Sequence, residues 1–461
     1  MTERDQGRQD TGQHDNRRGA PRPTMAERAA ILADRTGMNR IGNRIRTRPG
    51  ATAGLVVCLA TSLCAALVLL PSGGASDDAT PRQATRTAAE PKPPARQKRA
   101  DAKKADTEDW DGKVRILGDG STSYTGPQPR QLKPERLKPG QKPPQFVVFS
   151  WDGALEGDDR MFSRFRQVAK ESDAHMTFFL TGIYLLPEER SSLYLPPQHK
   201  AGAAAISYPT REHIRMTLEQ LGGAWKDGNE IGSHFNGHFC GKKGGGDWST
   251  AEWTQEIDAF YSFVQNWKTN TGYQDLDPLP FDPTREVVGG RAPCLEGQKT
   301  LLPATKAFGW RYDASSPGDF QIWPSKKDGI WNLPLQMLPF PGKDFQVLSM
   351  DFNFLYNQSD GSTEGDPARY GHWREQARDA YLAGFERVLH GSRAPMFIGN
   401  HFEDWNGGIY MDAVEDVMRN ICPRKEVRCV SFRELTDWLD AQDPDVLAQW
   451  RTLDPAQPPG W

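Results

Sequence analysis

The chain has 461 residues, of which 37% are apolar, and a formal net charge of −3. This length allows two or three domains, but so low an apolar fraction excludes one compact globule made from the whole chain. The charge balance excludes a strongly basic nucleic-acid-binding protein, and six cysteines are too few for a disulfide scaffold. All 14 tryptophans lie at Trp110 or later, so the folded part is expected after about the first hundred residues.

The N-terminal part predicts a membrane anchor. Residues 1–50 carry eleven arginines and six acidic residues without an apolar period, which is typical of a disordered basic tail. An apolar run fills 51–72, and as a helix Ala51–Leu70 would span about 30 Å, the thickness of a bilayer core. Arginines precede the run and aspartates follow it, which places the N-terminus in the cytoplasm and the remaining chain outside. A cleaved signal peptide starting at Met38 is the alternative, and it would give a secreted protein.

A linker and one large domain are expected after the anchor. Residues 73–145 are rich in alanine, proline, lysine, arginine and glutamine, which predicts an extended linker, with a short strand near Val114–Leu117 as an option. From 146 to 461, short apolar runs alternate with amphipathic stretches. This alternation predicts one α/β domain with a parallel sheet, open or closed into a barrel.

The elements of this domain follow from their patterns in chain order. Strands are predicted at 146–150, 176–180, 230–232, 287–289, 345–354 and 395–399. Helices are predicted at 158–170, 210–226, 250–267, 297–308, 374–389 and 413–420. In parallel sheets the functional side chains follow the carboxyl ends of the strands.

Polar residues that suit a metal hydrolase follow these predicted strands. They are Asp152, His234, His238, Arg291 and His401. Two histidines four apart on one helical turn share a face, which suits two imidazoles on a tetrahedral zinc ion. Asp152 is the natural third ligand, and a fourth position would be open for water. Taken alone, a pair of histidines at this spacing is as consistent with a surface coincidence.

Six motifs in order resemble the polysaccharide deacetylase family, also called the carbohydrate esterase family 4 or NodB-homology domain. They are FVVFSWDGA, HMTFFLTG, GNEIGSHFNGH, VVGGRAPC, FGWRYDASS and PMFIGNH. The third is similar to the family's histidine-containing segment and is the most specific match. The long separation between the last two motifs resembles the chitin-deacetylase-like branch.

The resemblance implies a fold and a reaction. The fold would be a distorted (β/α) barrel that holds a divalent metal, with zinc expected. The reaction would be hydrolysis of N-acetyl groups on an extracellular or cell-envelope polysaccharide, such as a chitin-like glycan or peptidoglycan. His234 and His238 would hold the metal. The same metal site could also serve an esterase that removes O-acetyl groups, which is a further option.

The resemblance also implies roles for four other residues. His401 would protonate the leaving amine, oriented by Asp313. Arg291 would fix the base carboxylate by a bidentate contact. A backbone N–H near Cys294 would help to hold the oxyanion.

The first motif departs from the family, because it has one aspartate where the family has two. In one register Asp152 is the metal ligand and Trp151 replaces the base; in the other Asp152 is the base and Gly153 replaces the ligand. We predict Asp152 as the ligand, since a metal with two protein ligands would be weakly held. The base would then come from one of five nearby carboxylates, namely Glu156, Asp158, Asp159, Glu403 or Asp404. Without a base, the protein would be a membrane-tethered glycan-binding relative, which is the alternative function.

The cysteines and two tryptophans complete the candidate residues. If the family motifs are neighbours, Cys240 and Cys294 can form a disulfide outside the cell, and the second pair can close a short loop between Cys422 and Cys429. Trp151 and Trp405 are candidate sugar-binding aromatics beside the motifs. The expected partners are a polysaccharide and, through the N-terminal helix, a membrane; no nucleic acid is expected.

Overall fold

The computed structural model describes residues 110–318 and 320–458. The strands are β1 (Arg115–Leu117), β2 (Thr122–Tyr124), β3 (Gln145–Asp152), β4 (Thr177–Leu180), β5 (Glu230–Ser233), β6 (Gly289–Gly290), β7 (Tyr312–Asp313), β8 (Ser325–Lys327), β9 (Ile330–Asn332), β10 (Met337–Pro339), β11 (Gln346–Leu348), β12 (Met396–His401) and β13 (Val427–Cys429). The helices are α1 (Met161–Glu171), α2 (Arg211–Lys226), α3 (Thr250–Gln265), α4 (Trp267–Thr271), α5 (Pro283–Glu286), α6 (Gln298–Ala307), α7 (Asp351–Ser359), α8 (Tyr370–His390), α9 (Trp405–Ile421), α10 (Phe432–Ala441) and α11 (Pro444–Trp450).

A curled sheet forms the centre of the described domain. Its strand order is β12-β3-β4-β5-β6-β7-β9-β8, and β13 also pairs with β3. All of these pairs are parallel except β8 with β9, which form an antiparallel edge. Within the described chain the two end strands do not pair with each other. The curled sheet with its helices fits the predicted distorted (β/α) barrel.

The two faces of β3 contact different parts of the domain: one lies in the larger apolar core, and the other carries a second core and the polar residues Ser150 and Asp152. Its side chains at 147, 149 and 151 lie in the larger apolar core with the helices. Phe146 and Val148 lie in a second core on the opposite face, where the Phe146 ring is 4.8 Å from the ring of Trp438 in α10. Since side chains alternate along a strand, Ser150 and Asp152 continue this second face beyond its apolar part.

Most predicted elements are confirmed, but the segment 345–354 is not one strand. β11 ends at Leu348, and α7 begins at Asp351 after the extended Met350. The alternating sequence around Phe352 is typical of a strand, which explains the wrong prediction. A negatively charged Asp351 in the first turn favours the helix, because it lies at the positive end of the helix dipole.

The folded domain begins before residue 146, so the predicted linker 73–145 is corrected for residues 110–145. β1 and β2 pair as an antiparallel ribbon in this segment. The indole N–H of Trp267 donates to the backbone carbonyl of Ser121 at 2.6 Å. The side-chain amide of Gln128 donates to the carbonyl of Trp225 at 3.1 Å. These contacts are polar and distant in sequence, which is why the segment's composition did not indicate them.

The predicted anchor lies outside the described residues. This applies to the basic tail at 1–50, to the apolar segment at 51–72 and to the linker up to residue 109. No helix among the described residues is long and apolar enough to cross a membrane.

Two of the described helices begin with a capping box, and the capping residues of one of them are buried. Ser249 and Glu252 cap α3 near the surface, whereas Ser431 and Glu434 cap α10 in the interior. The carboxylate of Glu434 also accepts the backbone N–H of Leu132 at 3.0 Å.

We expect Glu434→Ala to lower the free energy of unfolding by about 2–3 kcal/mol, because several buried donors lose their acceptor. The matched change Glu252→Ala, at an exposed cap, should cost about 1 kcal/mol or less. Urea denaturation followed by tryptophan fluorescence measures both. Equal losses would contradict the buried role of Glu434.

Candidate active site

The carboxyl ends of neighbouring parallel strands bring the predicted polar residues together. His401 at the end of β12 is the register partner of Asp152 at the end of β3. Ser233, which precedes His234, pairs with Gly290, which precedes Arg291. The parallel register therefore assembles residues from distant parts of the chain at one edge of the sheet.

A buried ion pair lies at the middle of this edge. The Arg291 Nη1 atom is 2.8 Å from Asp152 Oδ1, and the two side chains are 0% and 4% exposed. The same nitrogen donates to Ser150 Oγ at 2.9 Å, and Nε donates to the carbonyl of Ala314. The contact to the carboxylate is therefore made through one nitrogen and is not the bidentate contact that was predicted.

This ion pair bears on the role of Asp152. Burial opposes ionisation of the carboxyl, but the charge of Arg291, with smaller contributions from the neighbouring histidines, outweighs burial and lowers the pKa of Asp152. A carboxylate fixed by the arginine is the arrangement that the family resemblance implies for the base. The pairing of Asp152 with Arg291 is compatible with the register in which Asp152 is the base, and the predicted role of Asp152 as a metal ligand stays a prediction.

His234 and His238 lie close together, but not on a helical turn. Their ring centroids are 5.3 Å apart. Phe235 and His238 have φ values of 56° and 54°, in the left-handed region, so the segment is an irregular loop after β5. The two imidazoles are therefore close together as predicted, but an irregular loop with two left-handed residues brings them together, not a helical turn.

The two imidazoles are in the state that binds metals. His234 Nδ1 is 2.8 Å from the carbonyl oxygen of Arg291, and because a carbonyl only accepts, this nitrogen carries the hydrogen. The Nε2 atom of His234 therefore keeps its lone pair. Burial lowers the pKa of His234, and burial with the nearby histidines lowers the pKa of His238 to about 3. Both rings are neutral at physiological pH, as metal coordination requires.

A buried glutamate holds the loop between the two histidines. Glu256 Oε1 accepts the backbone N–H of Asn236 at 3.0 Å and the Tyr194 hydroxyl at 2.9 Å. The backbone N–H of Gly237 donates to the same hydroxyl at 3.0 Å. Sequence reasoning missed Glu256, because it lies in the middle of an ordinary amphipathic helix, α3.

His401 is oriented by Asp351, not by Asp313 as predicted. His401 Nδ1 is 2.8 Å from Asp351 Oδ1, and its backbone N–H donates to Oδ2 at 2.6 Å. Asp313 instead accepts the hydroxyl of Ser315 at 2.5 Å. Asp351 was missed because its segment had been assigned to a strand, which gave no reason to place it beside β12.

The pair with Asp351 keeps His401 protonated. Burial alone would lower the pKa of His401, but the charge and the hydrogen bond of Asp351 outweigh burial and raise it to about 9. Burial raises the pKa of Asp313 to about 6. At neutral pH the imidazolium of His401 can therefore donate a proton.

Two of the five other candidate carboxylates have structural partners. Glu156 is fully buried, and its Oε2 accepts the backbone N–H of Ser163 in the first turn of α1. Asp158 is exposed and pairs with His213 at 3.2 Å.

The remaining three differ in burial. Asp159 and Asp404 are exposed, whereas Glu403 is partly buried. Burial raises the pKa of Glu403 to about 7, with His401 opposing and Asp351, Asp404 and Asp159 adding to the rise. Glu403 is therefore the candidate that lies within the field of the site.

The two candidate tryptophans have different positions. Trp151 is 0% exposed and packs against Phe165 and Phe402 in the larger core, so its predicted contact with a sugar is wrong. Strand alternation puts it on the face opposite Asp152. Trp405 is exposed in part, and its ring centroid is 5.4 Å from that of His401, so it stays a candidate platform.

Both predicted disulfides are confirmed. Cys240 pairs with Cys294, and Cys422 pairs with Cys429. The first joins the loop after His238 to the turn after Arg291, so it braces the segment that carries the second histidine. The sulfur of Cys294 is therefore bonded to that of Cys240. The predicted role of a backbone N–H near Cys294 in holding the oxyanion stays a prediction.

Two side chains of the site, the imidazoles of His234 and His238, are suitable ligands for a divalent metal. The two neutral imidazoles are appropriate zinc ligands, but Asp152 is held by Arg291 and the residue directly after it, Gly153, has no carboxylate. In the described residues, one group of three ligand atoms lies within 4.8 Å, and it consists of His238 with Cys240 and Cys294, whose sulfurs are bonded to each other. The imidazoles fit zinc, and a third protein ligand would have to come from another loop.

Comparisons with known proteins give matches among solved structures. No family model and no curated protein matches the chain. A Mycobacterium smegmatis protein named as a candidate polysaccharide deacetylase matches 68% of this chain and 96% of its own, with 14% identity and a TM-score of 0.38. A CE4 esterase from Streptococcus mutans matches 62% of this chain and 86% of its own, with 12% identity and a TM-score of 0.34.

A third match is to a protein described as a pseudoenzyme. This CE4 family pseudoenzyme from Bacillus anthracis matches 68% of this chain and 72% of its own, with 11% identity and a TM-score of 0.33. All three carry the name of the family that the sequence motifs resemble. The function of this chain therefore has to be inferred from its own site residues.

We expect Asp351→Asn to lower the pKa of His401 from about 9 toward or below its ordinary value of about 6.5, because the neighbouring charge is lost. NMR titration of the His401 ring protons measures the shift. Asp313→Asn is the matched control and should leave the pKa of His401 near that of the unmodified protein. A large effect of Asp313→Asn without one of Asp351→Asn would return the orienting role to Asp313.

Proposed function

We propose that the protein hydrolyses N-acetyl groups on a polysaccharide outside the cytoplasm. The observation that carries the proposal is the convergence of three units at one sheet edge. These units are the Asp152–Arg291 ion pair, the His401–Asp351 pair and the two neutral imidazoles of the loop after β5. They would supply a base, an acid and metal ligands, which are the groups that hydrolysis of an amide needs.

Asp152 would act as the base. The carboxylate is ionised at neutral pH and fixed by Arg291, so it can accept a proton from a water molecule while that water adds to the acetamide carbonyl. The lowered pKa makes it a weak base by itself. A divalent metal bound by His234 and His238 would supply the Lewis acidity that makes such a water easier to deprotonate.

His401 would act as the acid. Collapse of the tetrahedral adduct breaks the C–N bond, and the nitrogen must gain a proton to leave as an amine. His401 is protonated at neutral pH and is held by Asp351, so it can give that proton from Nε2. The products are acetate and an amino sugar, and Trp405 beside His401 would stack on the sugar ring.

We propose that this domain is tethered at the outer face of a membrane by the segment 51–72. The apolar length of that segment and its flanking arginines favour this orientation. The two disulfides of the domain are consistent with an oxidising compartment. Cleavage of the segment would give the same domain as a secreted protein.

A glycan-binding protein without turnover is the second candidate. The observation that favours it is Gly153, which stands where the family's second carboxylate is expected and leaves two imidazoles as the metal ligands so far identified. Such a protein would bind glycan at the same sheet edge and would keep binding after Asp152→Ala.

We expect acetate release from N-acetylated oligosaccharides of chitin or peptidoglycan, tested beside O-acetylated substrates. Asp152→Asn and His401→Ala should each lower kcat by about 10²–10⁴-fold, because each removes one proton-transfer group. Activity should fall as the pH rises through about 9, where His401 loses its proton. Asp158 is an exposed carboxylate in the loop that follows Asp152, so Asp158→Asn is the matched control and should retain activity. Glycan binding that survives Asp152→Ala, with no acetate from any substrate, would favour the second candidate.

A further inference from the structure

His238, Cys240 and Cys294 place three metal-binding atoms beside one another. One ligand atom of each residue lies within 4.8 Å of the other two, and within the described ranges this is the one such group of three. Cys240 Sγ is 3.9 Å from His238 Nδ1. The two sulfurs are bonded to each other, so neither is a thiolate that can bind a metal. Reduction of this disulfide would leave two thiols next to an imidazole.

The two disulfides of the domain differ in their access to a reductant. Cys240 and Cys294 are partly exposed, whereas Cys422 and Cys429 are buried. Disulfide exchange requires an attacking thiolate to reach a sulfur atom, so the first disulfide is the more open to reduction. Among the described residues the second disulfide belongs to no group of three ligands. A ligand cluster that depends on reduction is therefore particular to the first disulfide.

Hydrogen bonds to Glu296 hold the two cysteine segments together independently of the disulfide. Glu296 Oε2 accepts the backbone N–H of Gly241 at 2.7 Å and that of Gly246 at 3.1 Å. Gly241 directly follows Cys240, and Glu296 is two residues after Cys294. Two thiols released by reduction would therefore stay close to each other, as a preformed metal site requires.

Two further hydrogen bonds fix the flanks of the cluster. The Thr300 hydroxyl in α6 donates to the carbonyl of Trp248, just before α3, at 2.7 Å. The backbone N–H of Gly237 donates to the buried Tyr194 hydroxyl at 3.0 Å, which fixes the residue before His238. Reduction therefore removes one covalent link from segments that non-covalent contacts still hold.

We propose that reduction of the Cys240–Cys294 disulfide creates a second metal site, in which the two thiolates and His238 bind zinc. The reductant is a dithiol, which gives two electrons and two protons and becomes a disulfide while the S–S bond of the chain breaks. Zinc then displaces the protons of the two new thiols. Two cysteines and one histidine are a known ligand set of zinc, with a fourth position for water.

The second site would compete with the metal site of the proposed function, because both use His238. This consequence rests on the proposed function, whereas the cysteine site itself does not. Two thiolates and one imidazole bind zinc more tightly than two imidazoles do, since thiolates are charged and soft ligands. The intact disulfide keeps both sulfurs from the metal, and reduction would draw the metal away from His234.

The test uses Co²⁺ as the probe, because it accepts the tetrahedral ligands of zinc and its bonds to thiolates give a near-ultraviolet charge-transfer band. The full chain carries Cys58→Ser and Cys64→Ser, which remove the two cysteines outside the domain. It is stripped with a chelator and titrated with Co²⁺ before and after reduction by a phosphine, which brings no thiol of its own. We expect the band after reduction only. Tryptophan fluorescence checks that the reduced chain stays folded.

Variants identify the ligands of the reduced chain. The double change Cys240→Ser/Cys294→Ser should remove the band and weaken Co²⁺ binding at least about tenfold, because two ligands are lost. The matched control, Cys422→Ser/Cys429→Ser, removes the buried disulfide and should leave the band unchanged. His234→Ala should also keep the band, because the second site does not use that imidazole.

The outcomes separate this proposal from the proposed function. A band that requires reduction, the Cys240–Cys294 pair and His238 supports the second site. A folded reduced chain without the band, a band that survives Cys240→Ser/Cys294→Ser or His238→Ala, or unfolding on reduction overturns it. Co²⁺ binding by the oxidised chain is a separate measurement: loss in His234→Ala supports the metal site of the proposed function, and absence of binding overturns that site alone.

Discussion

The site depends on the buried ion pair between Arg291 and Asp152. Both side chains are almost fully inaccessible, so removing one partner would leave an uncompensated buried charge, at a cost of about 3–5 kcal/mol. Arg291 also connects three strand ends, because its guanidinium contacts β3 and the segment after β7, and its carbonyl accepts from His234. One side chain thus fixes the carboxylate proposed as the base, the orientation of the His234 imidazole and the spacing of the sheet edge.

The other parts of the site follow from how each titratable group is partnered. His401 faces a carboxylate and stays protonated, whereas the buried His234 and the partly buried His238 have no ion pair among the described residues and stay neutral. The proposed acid and ligand roles of these histidines therefore follow from their different environments. The single aspartate of the first motif is paired with Arg291, which is why the proposed function assigns it the role of the base.

The second histidine is held by a different set of constraints. The loop between His234 and His238 uses left-handed residues, and Glu256 and the disulfide at Cys240 brace it from two sides. A loop of this kind places two imidazoles together as a helical turn would, but its shape depends on distant residues. Loss of Glu256 or of the disulfide would therefore change the position of the His238 imidazole without altering either histidine.

The sequence by itself determined the α/β class, most strands and helices, the disulfide pairs and the residues at the strand ends, because these depend on local periodicity and on motif order. The partner of His401 was decided by tertiary structure, since only the packing of α7 against β12 brings Asp351 to His401 in place of the predicted Asp313. The same holds for Trp151, whose burial depends on which face of β3 meets the helices. In the folded segment 110–145 the local sequence indicated only a short strand near residues 114–117, because polar contacts between distant residues hold the rest.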